Sequence, residues 1–270
     1  MKFKAGKHII DCDKHTCVMG ILNITPDSFS DGGKYFTLKK AVERAFEIQA
    51  EGADIIDIGA FSTRPGHTEI SVGEEKMRLL PLLEELNGRL EIPVSVDTFN
   101  IQTAQAALCA GADIINDVSG TVSPQMAEIV KEHGAGWIIM HNGGAKTDII
   151  SDVNAFFRSA VIKCESLGID REHISLDCGF GFGKSHDENY RLLANFDRLD
   201  RCGCTLTAAL SRKRMLGEIN KRSAPYRTEE TLTADTAAIL FGADIIRVHN
   251  VCESVFSART ADEIKKYREV

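Results

Sequence analysis

The chain has 270 residues, of which 43% are hydrophobic and 26% charged, and its formal net charge at pH 7 is −7. This length and apolar content are sufficient for one large core, so we expect a single domain over residues 1–270. The charges are interspersed without a basic run, which argues against a nucleic-acid-binding surface.

The composition also indicates a compartment. The first ten residues lack the apolar stretch of a signal peptide, and no later apolar run is long enough to span a membrane. We therefore expect a cytoplasmic protein whose eight cysteines are reduced thiols. Cys202 and Cys204 lie close together, but no second ligand pair at zinc spacing accompanies them, so we expect no zinc site there.

Eight short apolar runs alternate with helical patterns along the chain. The runs cover residues 17–23, 54–60, 93–98, 113–118, 136–141, 174–179, 205–211 and 244–251. Strict alternation of strands and helices predicts a parallel sheet with right-handed crossovers. Eight such units in a chain of 270 residues, close to the roughly 250 residues typical of such a barrel, favour a closed (β/α)8 TIM barrel over an open doubly wound sheet. We place the barrel core at residues 17–251, after an N-terminal extension and before a C-terminal helix that reaches residue 270.

The pentapeptide GADII occurs three times, at residues 52–56, 111–115 and 242–246. In each copy a helical pattern ends at glycine, the chain turns at Ala-Asp, and an apolar run follows. This pattern is typical of a helix that leads into a buried parallel strand. The residues predicted to cap helices at their N-termini are Thr37, Asn100, Ser123, Asp152 and Thr228.

Polar residues follow the apolar runs at positions that face the barrel interior. Alternate side chains of a strand point to opposite sides, so Val94 and Val96 face the helices and Asp97 faces inward. The same counting places these further residues inward, at or beyond the carboxyl ends of the strands: Asn23, Asn116, Asp177, Ser211, Lys213, Arg247 and His249. Each alone is equally compatible with a structural polar layer. Together they favour a binding site, because buried charges of both signs must pair with each other or with a ligand.

The segment at residues 176–184, LDCGFGFGK, places alternating glycines after a predicted strand that ends at Asp177. It matches neither GxGxxG nor GxxxxGK[ST], so it does not indicate a nucleotide-binding loop. Glycines let the backbone approach a flat ligand, and an inward carboxylate can accept two parallel hydrogen bonds from an amidine-like edge.

This segment and six others, in the same order along the chain, closely resemble the dihydropteroate synthase family. The others are MGILNITPDSFSDGG at 19–33, STRPG at 62–66, SVDT at 95–98, INDVSG at 115–120, SRK at 211–213 and RVH at 247–249. The resemblance implies a TIM barrel that joins p-aminobenzoate to the diphosphate ester of 6-hydroxymethyl-7,8-dihydropterin. The products would be diphosphate and dihydropteroate, a precursor in folate synthesis.

The resemblance also implies a role for individual residues. The implied pterin-binding residues are Asp97, Asn116, Met140, Asp177, Phe182, Lys213 and Arg247. The implied diphosphate-binding residues are Asn23, Arg64, Arg247 and His249, with Asn23 also a ligand of Mg²⁺. The implied aminobenzoate-binding residues are Phe29, Asp31, Thr63, Arg64, Pro65 and Ser211, on two βα loops (25–33 and 61–67) that we expect to be mobile. The implied catalytic set is Asp97, Asn116, Asp177, Lys213, Arg247 and His249.

The match departs from the family pattern at several positions. Ala60 and Phe61 stand where Gly-Glu is usual, which removes a loop carboxylate and implies an altered aminobenzoate pocket. Cys178 replaces a usual proline, Ala209 a usual glycine and Asn250 a usual aspartate. None of these changes removes an implied pterin or metal contact.

The sequence leaves two other functions open, and the resemblance also implies an oligomeric state. A methyltetrahydrofolate–corrinoid methyltransferase type of barrel would keep the pterin contacts, but it would not need the cations at residues 62–65 and 247–249. A pterin-binding paralogue without synthase activity would bind the pterin and release no diphosphate. Family precedent implies a homodimer, for which we predict an interface on the last two helices, residues 229–241 and 254–267.

Overall fold

The computed structural model of the protein describes residues 1–24, 33–60 and 70–267, with side chains from residue 38 onward in the second range. The chain begins with an antiparallel hairpin of β1 (Lys2–Ala5) and β2 (His8–Asp11). Eight parallel strands then close into a barrel, which confirms the predicted TIM-barrel fold. These strands are β3 (Cys17–Asn23), β4 (Ile55–Gly59), β5 (Val94–Asp97), β6 (Ile114–Asp117), β7 (Gly136–Met140), β8 (Ile174–Asp177), β9 (Thr205–Ala208) and β10 (Ile245–Val248).

Helices surround this barrel, one after each strand and two after β9. They are α1 (Gly33–Ala50), α2 (Val72–Leu86), α3 (Ile101–Cys109), α4 (Pro124–His133), α5 (Ile149–Ser166), α6 (His186–Ala194), α7 (Arg214–Asn220), α8 (Thr228–Leu240) and α9 (Val251–Lys266). No helix in the described parts of the chain is long and apolar enough to cross a membrane. All eight cysteines lie in those parts and are free thiols, as expected.

The barrel strands are buried on both faces, which is why they are apolar almost throughout. Val94 and Val96 belong to the large cluster between the barrel and its helices. Ile114 and Ile138, at positions of the opposite parity, belong to a second cluster inside the barrel. The alternation of side chains along the sequence therefore predicted correctly which face each residue occupies.

The N-terminal hairpin closes the floor of the barrel. Phe3, Ala5 and Ile10 lie in the same buried cluster as the interior-facing residues of the strands. Phe3 approaches β7 so closely that a Cβ at Gly136 would lie 2.6 Å from its ring. The hairpin is therefore part of the core, a role that the sequence pattern did not reveal.

The aspartate of each GADII copy fastens the strand that it introduces to the preceding strand of the barrel. Its carboxylate accepts a hydrogen bond from a backbone N–H of that neighbour. The three bonds join Val18 to Asp54 at 2.8 Å, Val94 to Asp113 at 3.0 Å and Leu206 to Asp244 at 2.7 Å. The preceding glycines have φ values of +97°, +106° and +105°, a region that side chains rarely adopt. The repeat is thus a strand clamp used three times.

Two of the five predicted helix caps are confirmed. The side chain of Asn100 accepts a hydrogen bond from the backbone N–H of Gln102, and Ser123 accepts one from that of Met126, each at 3.1 Å. The prediction for Thr37 is wrong, because α1 already begins at Gly33.

The predictions for Asp152 and Thr228 are also wrong. Asp148 caps α5 by accepting from Ser151 N–H at 3.1 Å, whereas Asp152 lies in the first turn and accepts from Thr147 N–H. Thr228 is the first residue of α8 rather than its cap. Asp148 and Asp152 are of the same residue type and both suit an N-cap, so the sequence does not distinguish them. The packing of α5 decides where that helix begins.

The buried carboxyl of Asp235 in α8 generates a prediction about stability. Neither of its oxygens has a hydrogen-bond partner among the described residues, and burial raises the pKa of this carboxyl well above its usual range. The folded state therefore keeps the proton that the unfolded chain loses above about pH 4, so folding stability falls as pH rises through and above that value.

We expect Asp235→Asn to remove this pH dependence. The free energy of unfolding of the variant, relative to that of the wild type, should rise by at least about 1 kcal/mol between pH 4 and pH 7. Urea unfolding across that range measures how the free energy of unfolding changes with pH. This change tests the prediction better than the absolute stability, because the buried amide of the variant also needs hydrogen-bond partners. The exposed Asp197→Asn serves as control. Parallel stability curves for Asp235→Asn and the wild type would contradict the prediction.

Candidate active site

A cavity of about 710 Å³ opens at the carboxyl ends of the barrel strands. The predicted site residues that line it are Asn23, Asp97, Asn116, Met140, Asp177, Phe182, Ser211, Lys213, Arg247 and His249. The predicted residues Phe29, Asp31, Thr63, Arg64 and Pro65 lie outside the described residues, as do Phe61 and most of the two loops predicted to be mobile. A cavity of this size suits a ligand of a few fused rings.

Strand register brings the polar residues together. Asp97 lies opposite Asn116 in the pairing of β5 with β6, and Met140 lies opposite Asp177 in the pairing of β7 with β8. Because all eight strands are parallel, their carboxyl ends meet at one rim. Residues far apart along the chain, such as Asp97 and Arg247, which are separated by 150 positions, therefore contact each other directly.

Arg247 is held by two buried carboxylates at the base of the cavity. Its Nε donates to Asp57 Oδ2 at 2.6 Å, and its Nη2 donates to Asp97 Oδ2 at 2.9 Å. The neighbouring carboxylates raise the pKa of Arg247 although burial alone would lower it. The guanidinium is thereby fixed in orientation inside the barrel, with 17% of its side chain exposed to the cavity.

Asp57 anchors this network, and the sequence analysis did not select it. It is fully buried, and it also accepts hydrogen bonds from Ser95 Oγ at 2.6 Å and from Asn116 Nδ2 at 3.3 Å. A signal was available, since Asp57 lies opposite Ser95 in the register and so has the same inward parity as Asp97. Because Asp57 lies within a strand and not at its end, it was not among the polar residues selected from the sequence.

Asp97 and Asp177 both present carboxylates to the cavity. Burial raises the pKa of Asp97 to about 7, although Arg247 opposes that shift. Oδ1 of Asp97 is buried, and no group in the described ranges donates a hydrogen bond to it. Burial also raises the pKa of Asp177, against the hydrogen bond that Gly179 N–H donates to its Oδ1 at 2.7 Å. Both side chains are suited to accept hydrogen bonds from a ligand.

Lys213 lies beside these carboxylates and over an aromatic ring. Its Nζ is 4.4 Å from the centroid of Phe182, a cation–π distance. Burial lowers the pKa of Lys213 to about 8, an effect that Asp177 and Asp97 partly offset. The cavity therefore combines an ammonium group, an aromatic wall and two carboxylates.

The alternating glycines make this arrangement possible. Gly179 and Gly181 have φ values of +68° and +78°, and a Cβ at Gly179 would overlap the carbonyl oxygen of His141. Lys184, another residue that the sequence analysis did not assign, holds the same loop by donating to the carbonyl oxygens of His141, Gly179 and Phe182. The segment is therefore a rigid turn that carries Phe182 to the cavity.

Ser211 and His249 connect the loops that follow β9 and β10. Ser211 Oγ lies 2.9 Å from His249 Nδ1 and accepts from the backbone N–H of His249 at 3.2 Å. With the serine hydroxyl donating to Nδ1, the proton of a neutral imidazole resides on Nε2. The pair thus places a hydroxyl and an imidazole side by side at the mouth.

Comparison with known proteins identifies the family. A family model described as pterin binding enzyme matches residues 19–249. Dihydropteroate synthase of Staphylococcus haemolyticus is 40% identical over 256 residues, which cover 93% of this chain and 96% of that protein. This chain belongs to the dihydropteroate synthase family. It is an enzyme, a transferase of folate synthesis, as the sequence motifs predicted.

Solved structures of this family have the same fold. Dihydropteroate synthase of Xanthomonas albilineans with 4-aminobenzoic acid superimposes with a TM-score of 0.91 at 37% identity, covering 98% of each chain. The same synthase in complex with 7,8-dihydropteroate gives a TM-score of 0.88 at 35% identity, covering 98% of this chain and 99% of that one. The family's barrel is therefore present over nearly the whole length.

The departures from the family pattern at Ala60, Cys178, Ala209 and Asn250 lie in the described residues, and Ala60 is fully buried just after β4. Asn250 accepts a hydrogen bond from Arg212 Nη2 at 2.8 Å, so the amide oxygen provides an acceptor there. Ala209 lines the cavity. Cys178 is buried, and burial raises the pKa of its thiol, which makes it a poor nucleophile.

The network around Arg247 predicts a stability defect. Asp57→Asn removes the charge of one partner in a buried ion pair, and such a loss costs on the order of 3 kcal/mol. Ser95→Ala removes only a neutral donor and should cost about 1 kcal/mol. Denaturant unfolding at neutral pH measures both, with Asp197→Asn as the surface control. Equal stability of Asp57→Asn and the wild type would show that the pair does not anchor the site.

Proposed function

We propose that this transferase joins p-aminobenzoate to (7,8-dihydropterin-6-yl)methyl diphosphate in the cavity at the carboxyl end of the barrel. The products are 7,8-dihydropteroate and diphosphate. One observation carries the assignment: two buried carboxylates, Asp97 and Asp177, lie at the base of a cavity that Lys213 and Arg247 also line. A flat heterocycle with several N–H donors and an attached anion is complementary to that arrangement.

The pterin ring occupies the base of the cavity in this proposal. Asp177 accepts two parallel hydrogen bonds from the amino group and the adjacent ring N–H, a geometry that carboxylates favour. Asp97 Oδ1, Asn116 and Lys213 complete the hydrogen bonds of the ring. Met140 and Phe182 contact its faces, and Arg247 stacks on it, because Asp57 and Asp97 already hold two of its nitrogens.

The diphosphate lies nearer the mouth in this proposal, beside Asn23 and His249, and Arg247 faces it from the base of the cavity. Arg64 is assigned to the same group by the sequence motif alone. Mg²⁺ fits this position, because the exposed carboxamide oxygen of Asn23 is a hard ligand and Mg²⁺ takes most of its remaining ligands from phosphate and water. When bound, the ion would neutralise charge on the diphosphate.

The reaction is a displacement at the exocyclic carbon of the pterin. The C–O bond breaks and its electron pair leaves with the diphosphate, while positive charge spreads over the pterin. Asp97 and Asp177 stabilise that charge, and Arg247 with His249 stabilises the departing anion. The aromatic amine then forms the C–N bond and loses a proton to solvent. The rate arises from positioning and electrostatic stabilisation, without a covalent enzyme intermediate.

The acceptor pocket rests partly on residues outside the described ranges. Phe29, Asp31, Thr63, Arg64 and Pro65 are proposed there on sequence motifs alone. Ser211, which is 7% exposed and bonded to His249, is the described member of the set. Its hydroxyl lies beside His249, which is proposed to hold the diphosphate. A residue that binds the aminobenzoate must lie there, because the amine attacks the carbon that carries the diphosphate.

Activity assays test the assignment. The full chain with Mg²⁺ and both substrates should release diphosphate, and Asp177→Asn should lower kcat/KM for the pterin substrate by about 100-fold, because two charge-assisted hydrogen bonds contribute about 3 kcal/mol. Asp197→Asn should match the wild type. Pterin binding without diphosphate release would favour a paralogue lacking synthase activity. Normal activity of Asp177→Asn would refute the proposed base of the cavity.

We further propose that the chain acts as one pterin-binding domain in the cytoplasm, where its eight thiols stay reduced, and that it forms a homodimer through α8 and α9. Exposed apolar residues support this surface: Phe256 is 61% exposed and Ile264 49% exposed on α9, and Tyr267 is 80% exposed just after it.

Sedimentation equilibrium tests the dimer. The wild type should be dimeric, and Phe256→Ser should raise the dissociation constant at least about tenfold, the effect of about 1.4 kcal/mol. Ile162→Ser, which alters a similarly exposed apolar residue on α5 (67% exposed), is the matched control. A monomeric wild type, or an equal effect of both substitutions, would exclude this interface.

A further inference from the structure

A cluster of four possible metal ligands lies at the amino ends of the barrel strands, away from the cavity. Cys12 and His15 belong to the connection between β2 and β3, and Cys17 is the first residue of β3; the three form the pattern C-x2-H-x-C. Asp54, from the first GADII copy just before β4, forms a close group with His15 and Cys17, and Cys12 adjoins this group through Cys17. Cysteine, histidine and aspartate are the residue types that bind Zn²⁺ in proteins.

The spacing of these side chains fits a tetrahedral ion. The ligand atoms of His15, Cys17 and Asp54 all lie within 4.8 Å of one another. The Sγ atoms of Cys12 and Cys17 are 3.5 Å apart as free thiols, and His15 Nε2 lies 2.7 Å from Asp54 Oδ1. Zn–S and Zn–N bonds of about 2.3 and 2.0 Å place tetrahedral ligand atoms about 3.3 to 3.8 Å apart. The ligand atoms of His15, Cys17 and Asp54 therefore lie near the required spacing, and Cys12, which contacts Cys17 but is outside this group of three, would have to turn toward His15 and Asp54 to complete the set.

The cluster is held in place before any ion binds. Asp54 Oδ2 accepts from Val18 N–H, which leaves Oδ1 directed at His15. Asp262 accepts from both the backbone N–H and the hydroxyl of Thr16, each at 2.7 Å, so the residue between His15 and Cys17 is fixed. His15 is 48% exposed and Asp54 26% exposed, which gives an ion a path from solvent.

The other two GADII copies provide an internal comparison. Their aspartates make the same strand clamp, but their partners are His8 for Asp113, at 3.9 Å, and Arg201 for Asp244, at 2.6 Å. Among the described residues, neither aspartate belongs to a group of three close metal-binding side chains. The clamp therefore does not itself require the histidine and cysteine side chains near Asp54.

We propose that Cys12, His15, Cys17 and Asp54 bind one thiophilic divalent cation of the Zn²⁺ class. On binding, the two thiol protons pass to solvent, the proton between His15 Nε2 and Asp54 Oδ1 moves to His15 Nδ1 or to solvent, and bonds form from the ion to both sulfurs, to Nε2 and to Oδ1. The ion would connect the segment before β3 to the start of β4 and so fasten the floor of the barrel. This site is separate from the proposed Mg²⁺ position, which has oxygen ligands at the opposite end of the strands.

Cobalt(II) serves as a spectroscopic probe of this site. The reduced, metal-free full chain should take up one equivalent of Co²⁺ with a thiolate charge-transfer band and the intense visible bands of tetrahedral cobalt. Zn²⁺ should displace it with loss of both signals, and Mg²⁺ should not. Zn²⁺ should also raise the thermal unfolding temperature, since it binds the folded chain.

Variants assign the ligands. Cys12→Ser and His15→Gln alter partly exposed side chains, and each should weaken Co²⁺ binding at least tenfold and remove the Zn²⁺-dependent thermal shift while far-ultraviolet circular dichroism stays native. Cys109→Ser is the matched control, because Cys109 Sγ lies 3.7 Å from His133 Nε2 in another Cys–His pair. The proposal is overturned if the wild type shows no thiolate band, if the band persists in Cys12→Ser, or if Cys109→Ser abolishes it.

Discussion

The guanidinium of Arg247 lies between Asp57 and Asp97 inside a closed barrel, and the rest of the cavity is arranged around this contact. A buried cation is tolerable only if carboxylates compensate it, and each of those carboxylates in turn needs further donors. Ser95 and Asn116 supply them to Asp57. Four strands, β4, β5, β6 and β10, are thereby connected through side chains at the level where the ligand would bind.

On the side that faces the cavity, the buried charged groups are not fully paired by the protein, and a ligand fits there. Asp97 keeps one buried oxygen for which the described part of the chain offers no donor, and burial raises the pKa of both Asp97 and Asp177. Lys213 has a lowered pKa for the same physical reason. A heterocycle that donates to the carboxylates and carries an anion toward the cations would satisfy these groups. Buried ionisable groups with shifted pKa values and incomplete pairing are typical of binding and catalytic sites.

The two ends of the barrel divide stability and chemistry. At the amino ends, the three GADII aspartates clamp neighbouring strands and the hairpin of β1 and β2 fills the floor. At the carboxyl ends, polar side chains replace apolar ones as soon as the strands leave the core. This division lets the βα loops and strand ends vary without loss of the scaffold. In the proposed metal site, the cysteine and histidine side chains near Asp54 would give the amino end a binding role as well.

The sequence by itself determined the eight strands, the face that each strand residue occupies and the family, because alternation and motif order are local and survive any packing. It could not select Asp57, whose role depends on Arg247, 190 residues away along the chain. It also could not choose between Asp148 and Asp152 as the cap of α5, or show that the N-terminal segment folds under the barrel. Those outcomes depend on which groups are buried next to each other, and only barrel closure decides that.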